Sequence, residues 1–318
     1  MVAVEPGPVA ASRDRAGAVR TAAAEVRFRA PTLADAPAVT AVINQRERAD
    51  RGSTEVTAEM VAALWSDREI QLAADGRVAI ADGDVVGYAL ATRDREFVSV
   101  APAYAGRGIG SALLQWTIAR SAERGTALHR QIVGSGNAAG AALLRSAGYE
   151  RIRSHHRMQM TLTGPIPVAT PDAIGLRRID ASRDARELHR VDAAAFADNA
   201  DYVPETFEQF RDEHLHTPAR DAEASIVAID DDRIVGFLLA ERRDEGRIGF
   251  ISVLGVSASR RGRGVGTALV SAAVGVWFAA GVRRAGLLVA SDNPSARRLY
   301  DRLGMTVQYT VEEFERSI

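Results

Sequence analysis

The sequence predicts an α/β protein of the α+β kind, built from two copies of one domain. Each copy is a mixed, mostly antiparallel sheet flanked by helices. Three observations predict this. Short runs rich in Val and Ile alternate with longer segments of helical apolar spacing, the pattern of a sheet layered with helices. Gly108 and Gly264 lie 156 positions apart, as do Gly110 and Gly266, Asn137 and Asn293, and Gly148 and Gly304, so the pattern is an internal repeat. Between the copies, the stretch from Gly164 to Pro171 holds three prolines, which stop helix and sheet alike and favour an extended spacer.

The first copy opens with a strand at 26–29, followed by helices at 33–48 and 56–65 and a strand at 78–81. Asp82-Gly83 between two apolar runs is a hairpin signal, and it leads into a strand at 85–91. A strand at 97–100, a glycine-rich turn, a helix at 111–124, a strand at 128–133, a helix at 137–147 and a closing strand at 158–162 complete the copy. After the spacer the order recurs. A strand opens at Leu176, helices cover 184–196 and 204–214, and strands at 224–229 and 234–240 flank a turn at 230–232. Gly87 and Gly236 differ by only 149, so the first copy is seven residues shorter between its third and fourth strands. The boundaries are a flexible N-terminal tail at 1–24, a first domain at 25–163, a linker at 164–172 and a second domain at 173–318.

Length and composition bound the function. A chain of 318 residues is comfortable for two domains, and 47% hydrophobic with 25% charged residues is ordinary for a globular protein. A net charge of -1 offers no basic field to nucleic acid or an anionic membrane. The absence of Cys excludes disulfides, thiol catalysis and Cys-based zinc sites. No His spacing suggests a metal, and the pair His155-His156 reads as surface. No apolar run reaches the ~20 residues that cross a bilayer, and the first two dozen residues lack the apolar core of a signal peptide. A cytoplasmic location is the expectation. All 40 basic residues are Arg, for which a GC-rich genome is account enough.

The chemistry points to Arg261-Gly262-Arg263-Gly264-Val265-Gly266. It joins a strand-like run, Phe250 to Val256, to a helical segment, Thr267 to Ala280. A glycine-rich turn at a helix N-terminus leaves backbone N–H groups unpaired beside the positive end of the helix dipole, which suits a phosphate. Two phosphate motifs fail here. The dinucleotide fingerprint needs a glycine three after Gly264, where Thr267 stands, and a Walker loop needs a lysine, which the chain lacks.

The loop resembles the acyl-CoA loop of the GNAT acetyltransferases, Arg/Gln-x-x-Gly-x-Gly/Ala, through Arg261, Gly264 and Gly266. A second GNAT signature, Asn-x-x-Ala-x-x-Leu-Tyr-x-x-x-Gly-Phe/Tyr/Met, is filled by Asn293, Ala296, Leu299, Tyr300, Gly304 and Met305 after a strand at 285–290. The resemblance covers nearly everything after residue 25. It implies a splayed central strand pair in each copy and acetyl-CoA as co-substrate, with no metal. The CoA would lie along Arg261, Gly262, Arg263, Gly264, Val265, Gly266 and Thr267. Backbone N–H groups of Leu254, Gly255 and Val256 would meet the thioester and pantetheine, with Asn293 beside them. Tyr300 would be the general acid that protonates the departing thiolate.

In the first copy Gly106, Arg107, Gly108, Ile109 and Gly110 keep the loop, but Ala105 and Leu144 replace its arginine and the tyrosine. The resemblance therefore implies a degenerate first copy that is non-catalytic, structural or cofactor-binding, and a catalytic second copy. The general base stays open. Residues 247–256 hold no carboxylate, and Glu241, Asp244, Glu245 and Asp292 nearby read as solvated turn residues. The acidic and aromatic stretch Phe196 to Tyr202 suits a cationic acceptor, or is an exposed loop. The function expected is acetylation of a small amine, by a monomer of two pseudo-symmetric copies or by a homodimer. The alternatives are a CoA-binding regulatory or scaffold protein without turnover, or acetylation of a protein amine or an antibiotic amine.

Overall fold

The computed structural model describes residues 26–92, 96–198, 202, 204–244 and 246–318. The tail expected at 1–24 and Glu245 lie outside the described residues. In the first half the chain runs β1 (Arg27–Arg29), α1 (Ala36–Arg51), α2 (Ala58–Trp65), α3 (Leu72–Asp75), β2 (Gly76–Ala81), β3 (Asp84–Ala91), β4 (Glu96–Val100), α4 (Ile109–Glu123), β5 (Leu128–Gly134), α5 (Ala138–Ser146) and β6 (Glu150–Thr161). The second half runs β7 (Gly175–Arg178), α6 (Ala181–Phe196), α7 (Phe207–Phe210), β8 (Ile226–Asp230), β9 (Arg233–Arg243), β10 (Ile248–Val256), α8 (Val265–Ala279), β11 (Arg284–Ala290), α9 (Pro294–Arg302) and β12 (Thr306–Ser317). The helix expected at 204–214 is a single turn capped by Thr206, continued by a π-helical turn at Arg211–Leu215.

Helices cover both faces of each half. On one face of the first sheet, Val39 and Ile43 of α1 and Val61 and Trp65 of α2 bury against Val78, Tyr88 and Leu90. On the other, Ile109 and Leu113 of α4 meet Ala79, Val86 and Ala89. A strand buried on both faces, as β3 is, loses its alternation and reads as one apolar run. The second half repeats this, with α6 on one face and α8 and α9 on the other.

Among the described residues the strands form a four-stranded sheet, β1-β2-β3-β4, and an eight-stranded sheet, β5-β12-β6-β11-β10-β9-β8-β7. Ladder pairing is antiparallel throughout except between β10 and β11. The order of the larger sheet departs from a simple tandem. The closing strand of each half pairs with the fifth strand of the other: β12 lies against β5, and β6 lies against β11. Phe314 of β12 consequently sits in the first half's core with Leu114, Leu144 and Tyr149. Met158 and Leu162, from the end of the first half, sit in the second half's core. The pair His155-His156, expected at the surface, lies half-buried in β6, and His156 Nδ1 is 3.0 Å from Thr310 Oγ1 on β12.

A buried arginine ties the halves together. Arg157 is 2% exposed; its Nε donates to Glu55 of the first half at 3.2 Å, and its guanidinium lies 5.1 Å from the Phe250 ring centre of the second. Close backbone approach recurs at Gly249, where an added Cβ would stand 2.2 Å from the Trp277 ring. That ring cannot easily retreat, because Trp277 Nε1 donates to the buried Asp221 at 3.0 Å. Gly249→Ala is therefore expected to destabilise the fold by about 1–3 kcal/mol through overpacking, read as a lowered urea midpoint with an unchanged slope.

Candidate active site

The two glycine-rich loops follow one path. Arg261 sits at φ -64°, ψ 152° and Ala105 at φ -62°, ψ 150°, so the change of side chain leaves the backbone alone. Gly262 and Gly106 have φ of 73° and 76°, and Gly264 and Gly108 have 87° and 81°. Those left-handed angles require glycine, which accounts for both Gly-Arg-Gly sequences. Gly264 and Gly108 cap α8 and α4 without a side-chain bond, leaving the first-turn N–H groups for an anion. The third glycine acts through space. A Cβ on Gly266 would stand 2.9 Å from Leu299 Cδ1, and one on Gly110 would stand 3.3 Å from Leu143 Cδ2. Val265 and Ile109 are buried helix starts, Thr267 is half-buried, and Arg263 and Arg107 are exposed at the loop tips.

The central strands part in both halves, to different depths. β10 and β11 pair from Ile248 with Arg284 to Ile251 with Leu287, then separate at a bulge at Ser252. Beyond it Leu254, Gly255 and Val256 pair only with β9, while β11 follows β6. Between β4 and β5 no ladder forms among the described residues. Tyr300 lies in one apolar cluster with Leu254, Val256 and Leu299. It is 6% exposed, and burial pushes its phenol above its ordinary 10. Asn293 Oδ1 caps α9 by accepting from the Ala296 N–H at 3.0 Å.

The guanidinium of Arg261 turns away from the loop. Its Nη2 donates to Ala195 O at 2.6 Å and its Nε to Val256 O at 3.2 Å, bracing the end of α6 against β10.

In the first half a cleft of about 410 Å³ opens between β4 and β5. Gly106, Gly108, Gly110, Asn137 and Leu144 line it, together with Ser99 and Gln131. Ser99 and Gln131 are 4% and 3% exposed, and neither Ser99 Oγ nor Gln131 Nε2 has a hydrogen-bond partner in the protein. At the 156-residue offset the second half has Gly255 and Leu287 in their places, and Tyr300 for Leu144. At these three positions the two halves are thus polar and apolar in opposite senses.

The carboxylates singled out by sequence are tied to arginines. Arg243 Nε donates to Glu241 at 2.9 Å, Arg247 and Arg284 each reach Asp244 at 2.8 Å, and Arg153 lies 3.3 Å from the exposed Asp292. Sequence reasoning missed Asp192 of α6, which is 7% exposed and accepts from the Tyr202 hydroxyl at 3.3 Å. A signal existed: Asp192 falls in the stripe Ala185, Leu188, Val191 and Ala195 that buries one face of α6. Desolvation pushes Asp192 up to about 6. Among the described residues one group could hold a metal ion: Glu205, Glu213 and His214, whose ligand atoms lie within 4.8 Å of one another. No helix among the described residues is long and apolar enough to cross a membrane.

Comparison with known proteins agrees with this geometry. The Acetyltransferase (GNAT) family model matches the chain twice, over residues 43–149 and 186–305. A mycothiol acetyltransferase of Actinosynnema mirum is 32% identical over 251 residues, covering 74% of this chain and 82% of the relative. The crystal structure of a GCN5-related N-acetyltransferase from Sphaerobacter thermophilus is similar with a TM-score of 0.81 at 28% identity, over 92% of this chain and 95% of that one. A tandem GNAT protein from the clavulanic acid biosynthesis pathway shares the fold, with a TM-score of 0.71 at 17% identity over 92% and 98% of the two chains. The chain belongs to the GNAT family of acetyltransferases and carries the family's domain twice in one polypeptide.

Proposed function

We propose that the chain transfers an acetyl group from acetyl-CoA to the amine of a small molecule, that its second half does the chemistry, and that its first half binds CoA without turnover. The observation that carries this reading is Tyr300, a phenol buried in the same apolar cluster as Leu254 and Val256 and kept protonated by that burial. A phenol held in its neutral form can give its proton to a departing thiolate. Leu144, at the same place in the first half, cannot.

In this reading the N–H groups of Gly262 to Thr267 hold the pyrophosphate, with Arg263 at the loop tip and Arg261 bracing α6. The N–H groups of Leu254, Gly255 and Val256 polarise the thioester carbonyl, and Asn293 lies beside the pantetheine while capping α9. Gly106, Arg107, Gly108, Ile109 and Gly110 hold a second CoA in the first cleft. A ligand there would relieve the unpartnered Ser99 and Gln131, which supports binding on that side. The units are 25–163 and 173–318, joined by 164–172, and the protein works in the cytoplasm as a monomer or a homodimer.

Relatives named mycothiol acetyltransferase make mycothiol lacking its acetyl group the first acceptor to try. A second reading, a CoA-responsive protein without turnover, draws on the open first cleft and on Arg261 being engaged by α6. A screen of small amines for thiol release, with CoA stoichiometry measured calorimetrically, separates the two. The proposal expects two CoA sites per chain and turnover with at least one amine; binding without thiol release from any amine would establish the second reading.

A further inference from the structure

Acetyl transfer to an amine needs a group that takes the amine's proton, and the obvious carboxylates of the second half are occupied. Glu241, Asp244 and Asp292 each face an arginine, and Asp198 lies 3.5 Å from Arg261. A carboxylate held by a guanidinium is a weak base.

Asp192 is placed differently. Among the described residues no arginine pairs with it, and the hydrogen bond to its Oδ2 comes from the Tyr202 hydroxyl. Its helix packs on the acceptor face of β10: Leu188 and Val191 of α6 cluster with Val253, while α8 covers the opposite face. Gly255 turns the same way, since a Cβ there would stand 2.6 Å from the Phe237 ring of that cluster. One turn beyond Asp192, the Ala195 carbonyl accepts from Arg261 at the start of the acyl loop. A CoA lying along α8 would send its thioester between the strands toward this face, where Asp192 is buried without an arginine partner.

We infer that Asp192 is the general base of the second half, an assignment that rests on that half being the catalytic one. The carboxylate takes one proton from the acceptor's ammonium. The neutral amine attacks the thioester carbon, a C–N bond forms, and collapse breaks the C–S bond. Tyr300 gives its proton to the thiolate and recovers one from the amide nitrogen, while Asp192 releases its proton to solvent. The groups facing Asp192 are Tyr202, His214, Glu205 and His189. His214 and His189 favour its charged form and Glu205 opposes it, but burial outweighs them and sets its titration near 6. Tyr202, pushed up to about 12, stays protonated and keeps its bond to the carboxylate.

The test is the pH profile of kcat/KM for wild type, Asp192→Asn and Tyr300→Phe. Wild type is expected to rise through a limb centred near pH 6. Asp192→Asn is expected to lose that limb and about 10²- to 10³-fold in kcat/KM at pH 7, with CoA affinity unchanged and partial rescue by an amine of low pKa. Stability supplies a readout that a packing role would reverse. The folded value lies above the unfolded one, so this group's contribution is full below about 3.8 and is lost as pH rises through about 6. Asp192→Asn should therefore melt above wild type at pH 8. A variant with full rate and an intact limb overturns the assignment, and so does a wild-type profile without the limb, should the variant not fold. If Tyr300→Phe is also fully active, the failure belongs to the choice of catalytic half; if Tyr300→Phe alone is impaired, it belongs to Asp192.

Discussion

Tyr300→Phe is expected to lower kcat by about 10²- to 10³-fold while leaving CoA affinity within about twofold, the signature of a lost general acid. The phenyl ring keeps the place of Tyr300 in the apolar cluster that also holds Leu254, Val256 and Leu299, so fold and cofactor binding should persist. Only the proton donor is gone. The thiolate must then leave unprotonated or wait for water, and water reaches the site poorly because residue 300 is 6% exposed. Single-turnover thiol release, set beside calorimetric CoA binding, separates the chemical step from affinity. Leu144→Ala is the mirror control and should leave turnover unchanged. Full activity in Tyr300→Phe with loss in Leu144→Ala would move the chemistry to the first half.

Expressed separately, residues 26–168 and 169–318 are each expected to fail to fold as monomers, and to recover a cooperative melt only when combined. The reason is the exchange of closing strands. Without β12, the first half loses the partner of β5 from Val311 to Ser317 and the fully buried Phe314. Without β6, the second half loses the partner of β11 along its whole length, together with Met158 and Leu162, which are 0% and 1% exposed. Removing a single such side chain costs about 2–5 kcal/mol, and a domain's whole stability is about 5–15 kcal/mol. An unpaired ladder adds exposed N–H and C=O groups that favour self-association, so a lone half is expected to swap strands with a second copy or to aggregate. Analytical ultracentrifugation and thermal denaturation test this. A monomeric half melting within a few degrees of the full chain would refute it.

Much of the local structure was written in residue types. The φ values of Gly106, Gly108, Gly262 and Gly264 need glycine whatever surrounds them, and Asn293 before Pro294 starts a helix by its own hydrogen bond. The repeat was legible for the same reason, because the same turn and cap demands recur 156 residues apart. Legibility failed where a residue's role depends on what faces it. Arg261 reads as a phosphate ligand by its place in the loop, yet its guanidinium reaches the carbonyl of Ala195, 66 positions away. Asp192 reads as one more helical carboxylate until burial and the lack of an arginine set it apart from Glu241 and Asp244.

By itself the sequence determined the two-fold repeat, the sheet-and-helix class, both glycine-rich loops and the contrast of Tyr300 with Leu144, since each follows from local backbone demands or from the residue types themselves. Only the tertiary structure decided that β6 and β12 change places, that Ser99 and Gln131 are buried without partners in the first half's cleft, and that Asp192 is buried without an arginine partner. A strand's own alternation fixes which face it buries and leaves its neighbour unspecified, and a side chain's electrostatics are set by groups far from it along the chain.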